Sequence, residues 1–236
     1  EQPKNIFLVT GTNGKSSVAN LFHQILLLNK IPVASIGTLG LKINKKSIPL
    51  NLTSPDIITV YKNLYRIKKK GVENVIIEAS SHGLYQKRLH GLDVKAGIFT
   101  NLSRDHLDYH KNFKNYLNAK LILFREILKA NKYVISDSLI KEFKKINHIS
   151  KKKNLKVLDI NNTYKEIKKI KINLIGEFQL KNLSMAILAA SLCNLNYKKI
   201  IKSLNRIKNV EGRLSEIKSF KNGARVFIDF AHTPDA

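Results

Sequence analysis

An α/β fold with a mainly parallel, doubly wound sheet is what this sequence predicts, and three observations carry the prediction. Short apolar runs, Ile6 to Val9, Asn74 to Ile77 and Lys95 to Thr100, have the length and bounds of buried strands. Segments with apolar residues at helical spacing lie between such runs, so strands and helices alternate along the chain. Polar residues crowd directly behind the runs, where open α/β sheets bind their ligands.

The first element pair is the most informative. Ile6 to Val9 leads into Gly11-Thr12-Asn13-Gly14-Lys15-Ser16, and Val18, Leu21, Phe22, Ile25 and Leu28 then recur at helical spacing. A strand feeding a helix through two glycines aims backbone N–H groups and the positive helix end at one point, which suits phosphate. In that arrangement Lys15 reaches the outer phosphates and the Ser16 hydroxyl ligates magnesium. The longer G-x-x-x-x-G-K-[ST] pattern asks for glycine where Val9 stands, so the match is to a shorter G-x-x-G-K-S form. A dinucleotide fingerprint fits less well, because the third glycine is missing.

Val33 to Thr38 reads as a second strand, followed by a hairpin of Leu41 to Ile43 and Ser47 to Leu50 hung outside the main sheet. Thr53-Ser54-Pro55-Asp56 reads as a helix start, with Ser54 as N-cap and Pro55 at the first helical position, the helix running to about Lys70 and ending at Gly71. Asn74 to Ile77 should be a central parallel strand, and its end carries Glu78-Ala79-Ser80-Ser81-His82-Gly83. A carboxylate there is well placed to hold Mg²⁺. Lys95 to Thr100 repeats the arrangement, running into Asn101 and the histidine-rich stretch to His110, so Glu78 and His106 are candidates to converge on one metal. Lys120 lies in an apolar helix, Tyr116 to Leu128, where a snorkelling side chain is the simple alternative. Strands near Tyr133 to Ser136 and Lys156 to Ile160 alternate with a helix around Leu139 to Ile146. A helix with Leu183, Ile187 and Ala190 on one face follows, then strands opening at Val210-Glu211-Gly212-Arg213 and at Val226 to Ile228.

Composition narrows the function classes. At 236 residues and 43% hydrophobic the chain can bury a sizeable core. No apolar run approaches the roughly 20 residues that cross a bilayer, and Glu1-Gln2-Pro3-Lys4 has no signal-peptide layout. The expectation is a soluble, cytoplasmic monomer without a membrane partner. The single cysteine, Cys193, excludes an internal disulfide and reads as core. Net charge is +25, yet only seven of the 42 basic residues are arginine and the lysines are scattered, in a chain also rich in Asn and Ile. That pattern reads as compositional bias and solvated faces, so a nucleic-acid partner is not expected. A nucleic-acid-binding module would rest on net charge alone.

Four motifs together, Thr10 to Ser16, Glu78 to Leu84, Phe99 to His110 and Asp229 to Ala236, resemble the Mur ligases, and within them the branch that adds the third peptide residue. The resemblance covers nearly the whole chain. It implies an enzyme of peptidoglycan biosynthesis that uses ATP and Mg²⁺ to join meso-diaminopimelate or lysine to UDP-N-acetylmuramoyl-L-Ala-D-Glu through an acyl phosphate. It places Gly11, Thr12, Asn13, Gly14, Lys15, Ser16 and Ser17 around the phosphates, Ser16 and Glu78 on one magnesium and His106 on a second. Lys120 aligns with a lysine carried as a carbamate, an anionic oxygen ligand. Asn182 would meet adenine, Arg213 the phosphates and Asp229 the ribose, while Thr53, Ser54, Ser80 and Arg88 would hold the UDP-muramoyl-peptide.

Two departures touch the adenine pocket: Gln179 stands where the family usually has asparagine, and Phe230 where tyrosine is common. By this resemblance residues 1–236 are a central ATP-binding domain, with the uridine-binding and amino-acid-binding domains outside the sequence and little activity expected from the chain alone. Relatives sharing the core, folylpolyglutamate and cyanophycin synthetases, are the alternative, as is a fragment that only binds ATP.

Overall fold

The computed structural model describes residues 1–217 and 225–231. β1 (Asn5–Thr10) is buried along its whole length and passes into α1 (Lys15–Leu28). There follow β2 (Val33–Gly37), β3 (Gly40–Ile43), β4 (Lys46–Ile48), α2 (Ile57–Lys69) and β5 (Asn74–Glu78). A short α3 (Ser81–Tyr85) leads to β6 (Val94–Phe99), then α4 (Leu107–His110) and α5 (Phe113–Ile122), which widens into a π-helical turn at Leu123–Ile127. β7 (Tyr133–Ser136), α6 (Phe143–Lys152), β8 (Lys156–Asp159) and α7 (Asn161–Ile167) come next. α8 (Glu177–Ser191), α9 (Tyr197–Ser203), β9 (Ser215–Ile217) and β10 (Val226–Ile228) end the described chain.

Eight strands form one sheet in the order β4-β3-β2-β5-β1-β6-β7-β8, in which β2, β5, β1, β6, β7 and β8 run parallel. Side chains alternate across β1. Ile6 and Leu8 join a core with Leu64, Leu121 and Phe124 on one face, and Phe7 and Val9 join Phe22, Ile25 and Leu183 on the other. Phe7 and Phe22 rings meet at 5.0 Å. Each such buried side chain contributes roughly 1.5–3 kcal/mol. Helices on both faces make the fold doubly wound, as the sequence predicts. β1 lies between β5 and β6, so their three carboxyl ends open onto one crevice.

The structure corrects several local expectations. The hairpin is part of the main sheet: β3 pairs antiparallel with β2, and β4 with β3, extending one edge. The N-cap of α2 is Asp56, whose carboxylate accepts from Thr59 N at 3.0 Å, and the helix begins at Ile57, so neither Ser54 nor Pro55 takes its expected position. The helix expected around Leu139 starts later, at Phe143, because Asp137 first folds the chain back by accepting from Leu139 N. β9 and β10 pair only with each other among the described residues, in a separate antiparallel ribbon whose three β10 residues are exposed. Residues 232–236 of the last motif lie outside the described residues. Among the described residues, no helix is long and apolar enough to cross a membrane.

Candidate active site

The turn between β1 and α1 is built as the glycine pattern requires. Gly14 caps α1 in the left-handed region at φ 86°, and a Cβ there would also stand 2.5 Å from Asn182 Oδ1. The turn is bound to the segment behind β6. Thr12 N donates to Asn101 O at 3.0 Å, Asn13 N to Asn101 Oδ1 at 2.9 Å, and Ser103 N to Thr12 Oγ1 at 3.0 Å. Thr100 Oγ1 donates to Asn13 O at 2.6 Å. Lys15 curls over its own loop, donating to Gly11 O at 3.0 Å and Thr12 O at 2.7 Å.

Glu78 leaves the end of β5 beside this loop. Ser16 Oγ donates to its Oε2 at 2.9 Å, Thr38 N to Oε1 at 2.9 Å and Thr38 Oγ1 to Oε2 at 3.2 Å. A Cβ at Gly37 would stand 2.0 Å from Glu78 Oε1, so glycine there is what gives the carboxylate room. Burial raises the Glu78 pKa, against the opposing charge of Lys15 and the donors of Ser16 and Thr38. Lys15 is shifted the other way: burial lowers it, and Glu78 and Asp105 hold it up.

Lys120 is 1% exposed, so it does not snorkel; its ammonium points inward, donating to Gly11 O at 2.7 Å over the Tyr116 ring. Burial, helped by the charge of Lys15, holds this amine well below the usual lysine range. Tyr116, pushed up to about 12 mainly by burial, shares a hydrogen bond with Thr12. His106 sits at φ 51° at the start of α4, its Nε2 3.4 Å from Asp105 Oδ2, in a ring cluster with His82 and Tyr116. Burial lowers its pKa, with Asp105 opposing.

Two adjoining cavities receive these groups. One, of about 350 Å³, is lined by Thr12 to Ser16, Thr53, Glu78, Ser80, His106, Lys120 and Arg213 among others. The second, of about 450 Å³, is lined by Asn13, Gly14, Ser17, Gln179, Asn182, Arg213, Asp229 and Phe230 among others. Asn13, Gly14, Arg213 and Phe230 line both. Arg213 Nη2 donates to Ser16 Oγ at 3.3 Å, and Asp229 accepts from Leu214 N at 2.8 Å. Asn182 Nδ2 donates to Gln179 Oε1 at 3.2 Å, so the glutamine at this departure from the family pattern orients the asparagine amide.

Most residues expected at the site thus gather there. Ser54 and Arg88 line neither cavity. The Ser54 hydroxyl is buried between Glu78 O and Ser80 N, at 2.8 and 2.9 Å, and Arg88 Nη1 donates to Ser54 O at 2.7 Å. The expectation that Glu78 and His106 meet on one metal is met only as a shared cavity, because no three His, Cys, Asp or Glu side chains converge as a metal site among the described residues. Sequence reasoning missed Thr38, which holds Glu78, and Asp137, which lines the larger cavity. Asp137 follows a parallel strand directly, as Thr100 does, and Glu78 ends one; that placement was the available signal.

Fold and site define a doubly wound α/β protein with a P-loop-type turn at the switch point of its sheet. Residues 9–190 match the Mur ligase middle domain, and the chain belongs to the Mur ligase family. Across its whole length it is 37% identical to the UDP-N-acetylmuramoyl-L-alanyl-D-glutamate 2,6-diaminopimelate ligase of Rickettsia bellii, covering 54% of that protein, and over 99% of its length 38% identical to the enzyme of the same name from Zymomonas mobilis, covering 52%. A solved structure of a ligase of that name superposes with a TM-score of 0.81 at 25% identity, over 99% of this chain and 52% of the other. A bifunctional folylpolyglutamate synthase/dihydrofolate synthase solved with Mn, AMPPNP and L-glutamate shares the fold, with a TM-score of 0.70 at 14% identity, over 100% of this chain and 64% of the other. The chain spans about half the length of the curated relatives it matches.

Proposed function

We propose that this chain is the central, ATP-binding part of a ligase that joins a diamino acid, 2,6-diaminopimelate by analogy with its relatives, to the D-glutamyl carboxylate of UDP-N-acetylmuramoyl-L-alanyl-D-glutamate in cytoplasmic peptidoglycan synthesis. One observation carries the reading: the P-loop-type turn, Glu78, His106 and Lys120 face a single cavity that adjoins a second one floored by Asn182 and Gln179. The second cavity suits a base and ribose, with Asn182 on adenine and Asp229 on the ribose. The first suits a triphosphate and the acyl group that accepts its terminal phosphoryl.

The chain's own residues supply positioning and charge, which is what phosphoryl transfer needs most. Gly14, Lys15 and Ser16 present backbone N–H groups at the positive end of α1, and the Lys15 ammonium leaves Gly11 O and Thr12 O to meet phosphate oxygens. Arg213, already at Ser16, adds a guanidinium on the side of the second cavity. Thr53 and Ser80 are placed to hold the peptide-bearing substrate, and Arg88 and Ser54 to shape the loop beneath it.

The donor set fits magnesium. Ser16 and Glu78 offer a hydroxyl and one carboxylate already in contact, and Mg²⁺ takes few protein ligands and fills its shell with phosphates and water. His106, and Lys120 as a carbamate, would hold a second ion; burial shifts the Lys120 amine towards its neutral form, the form that adds CO₂. Bound magnesium would neutralise charge developing on the transferred phosphoryl group. The amine of the incoming amino acid would then attack the acyl phosphate and release phosphate.

The test is phosphate release from ATP by the protein containing this chain, given UDP-N-acetylmuramoyl-L-alanyl-D-glutamate with diaminopimelate, lysine or no amine. Release that requires the nucleotide substrate and one amine is expected. Tight ATP binding with no release under any of these conditions would overturn the reading.

A further inference from the structure

The larger cavity has an ion pair in its wall that none of the roles above uses. Asp137 follows directly after β7, and its side chain is 1% exposed. Lys181 Nζ donates to its Oδ2 at 2.9 Å, while Leu139 N and Asn161 Nδ2 donate to Oδ1 at 2.9 and 3.1 Å. Burial pushes this carboxyl up, but these donors overcome it and the net shift is down.

The Lys181 side chain is 41% exposed, so the pair is only half-buried, and a pair of that kind adds little to stability. Geometry gives it another role. Lys181 stands in the first turns of α8, next to Asn182 and two residues after Gln179, and that helix has no side-chain cap hydrogen bond at its N-terminus. The Asn182 amide lies against Gly14. Asp137 and Lys181 both line the cavity, so the pair ties the amide-bearing turn of α8 to the rigid end of β7.

We infer that Asp137 and Lys181 are a positioning pair for base recognition: they fix the distance between the Gln179 and Asn182 amides and the glycine-rich turn, and so set affinity for the purine base without affecting grip on the phosphates. This rests on the nucleotide-binding reading proposed above.

The experiment is calorimetric titration of the 236-residue chain with Mg-ATP and with magnesium tripolyphosphate, which has the phosphates but no base. For Asp137→Asn and for Lys181→Met, ATP affinity is expected to fall about tenfold, the size of one hydrogen bond to the base, with tripolyphosphate affinity unchanged. The double variant should be no weaker than either single one, and Lys181→Arg should restore affinity. Equal losses for both probes, or none for either, overturn the inference while leaving the nucleotide site in place. A wild-type chain that binds neither probe overturns the nucleotide reading as well. Hydrogen exchange on the wild-type chain gives a second readout that needs no variant. ATP should slow exchange in residues 177–183 and tripolyphosphate should not; equal protection by both, or by neither, counts against the pair.

Discussion

The two halves of the candidate site are built differently. Loop ends of β1, β5 and β6 carry Lys15, Glu78 and the Thr100 to Ser103 segment, all on strands buried in the middle of the sheet and tied together by hydrogen bonds from Thr12, Asn13 and Thr38. Arg213 and Asp229 instead flank a two-stranded ribbon, outside the main sheet, whose β10 residues are exposed. The first half is preorganised by the core, so its groups can stay buried at shifted pKa values. The second lies on an exposed ribbon, so its side chains contribute little to stability.

The largest expected effect lies in the first half. Lys15→Ala should lower Mg-ATP affinity about a hundredfold or more by calorimetry, since charge-assisted bonds to phosphate are among the strongest a side chain makes. Affinity within threefold of wild type would mean that the loop does not grip phosphate.

Next is a pH effect on stability, from the helix that follows the glycine-bearing turn. His23, on α1, is buried and its pKa is lowered to about 4, chiefly by burial and partly by Lys42, with the Asn44 carbonyl opposing. A depressed folded pKa means that the unfolded chain binds the proton more tightly. Stability is therefore full above about pH 6.5 and falls by about 3 kcal/mol as pH drops towards 4. Denaturant unfolding of wild type and His23→Gln across that range checks it; identical slopes would show that His23 is solvated.

Gly37→Ala tests whether rigid packing or the side chain itself places Glu78. The new methyl must displace the carboxylate from Ser16 and Thr38, and about tenfold weaker binding of ATP in the presence of magnesium is expected, with a much smaller change in its absence. Equal losses with and without metal would assign Glu78 a role apart from the ion.

The smallest effect belongs to the ribbon. Asp229→Ala should weaken ATP binding only about threefold to tenfold and leave the thermal midpoint within about 2 °C, because the residue is exposed. A midpoint drop as large as that of a core variant would erase the distinction between the two halves.

Much of this was legible because it is local. Strand, two glycines, Lys-Ser and helix fall within a dozen residues, and polar residues directly behind apolar runs mark the carboxyl ends of parallel strands. Errors arose where distant partners decide. Ser54 has the chemistry of an N-cap, but Glu78 O and Ser80 N, 24 and 26 residues away, claim its hydroxyl and leave the cap to Asp56. The hairpin's pattern says nothing of whether its edge pairs with β2. Asp137 carried the strand-end signal, but Lys181, the partner that gives it a role, is 44 residues further along.

By itself the sequence determined the fold class, the glycine-bearing turn from β1 into α1 and the set of residues behind β5 and β6, since backbone propensities and strand-end chemistry act over short spans. Only tertiary structure decided which of those residues share a cavity, that Gly37 makes room for Glu78, and that Lys120 is a buried amine facing Gly11 and not a snorkelling one. Burial, proximity and the pKa shifts they cause belong to segments far apart in sequence, and exist only once the sheet brings those segments together.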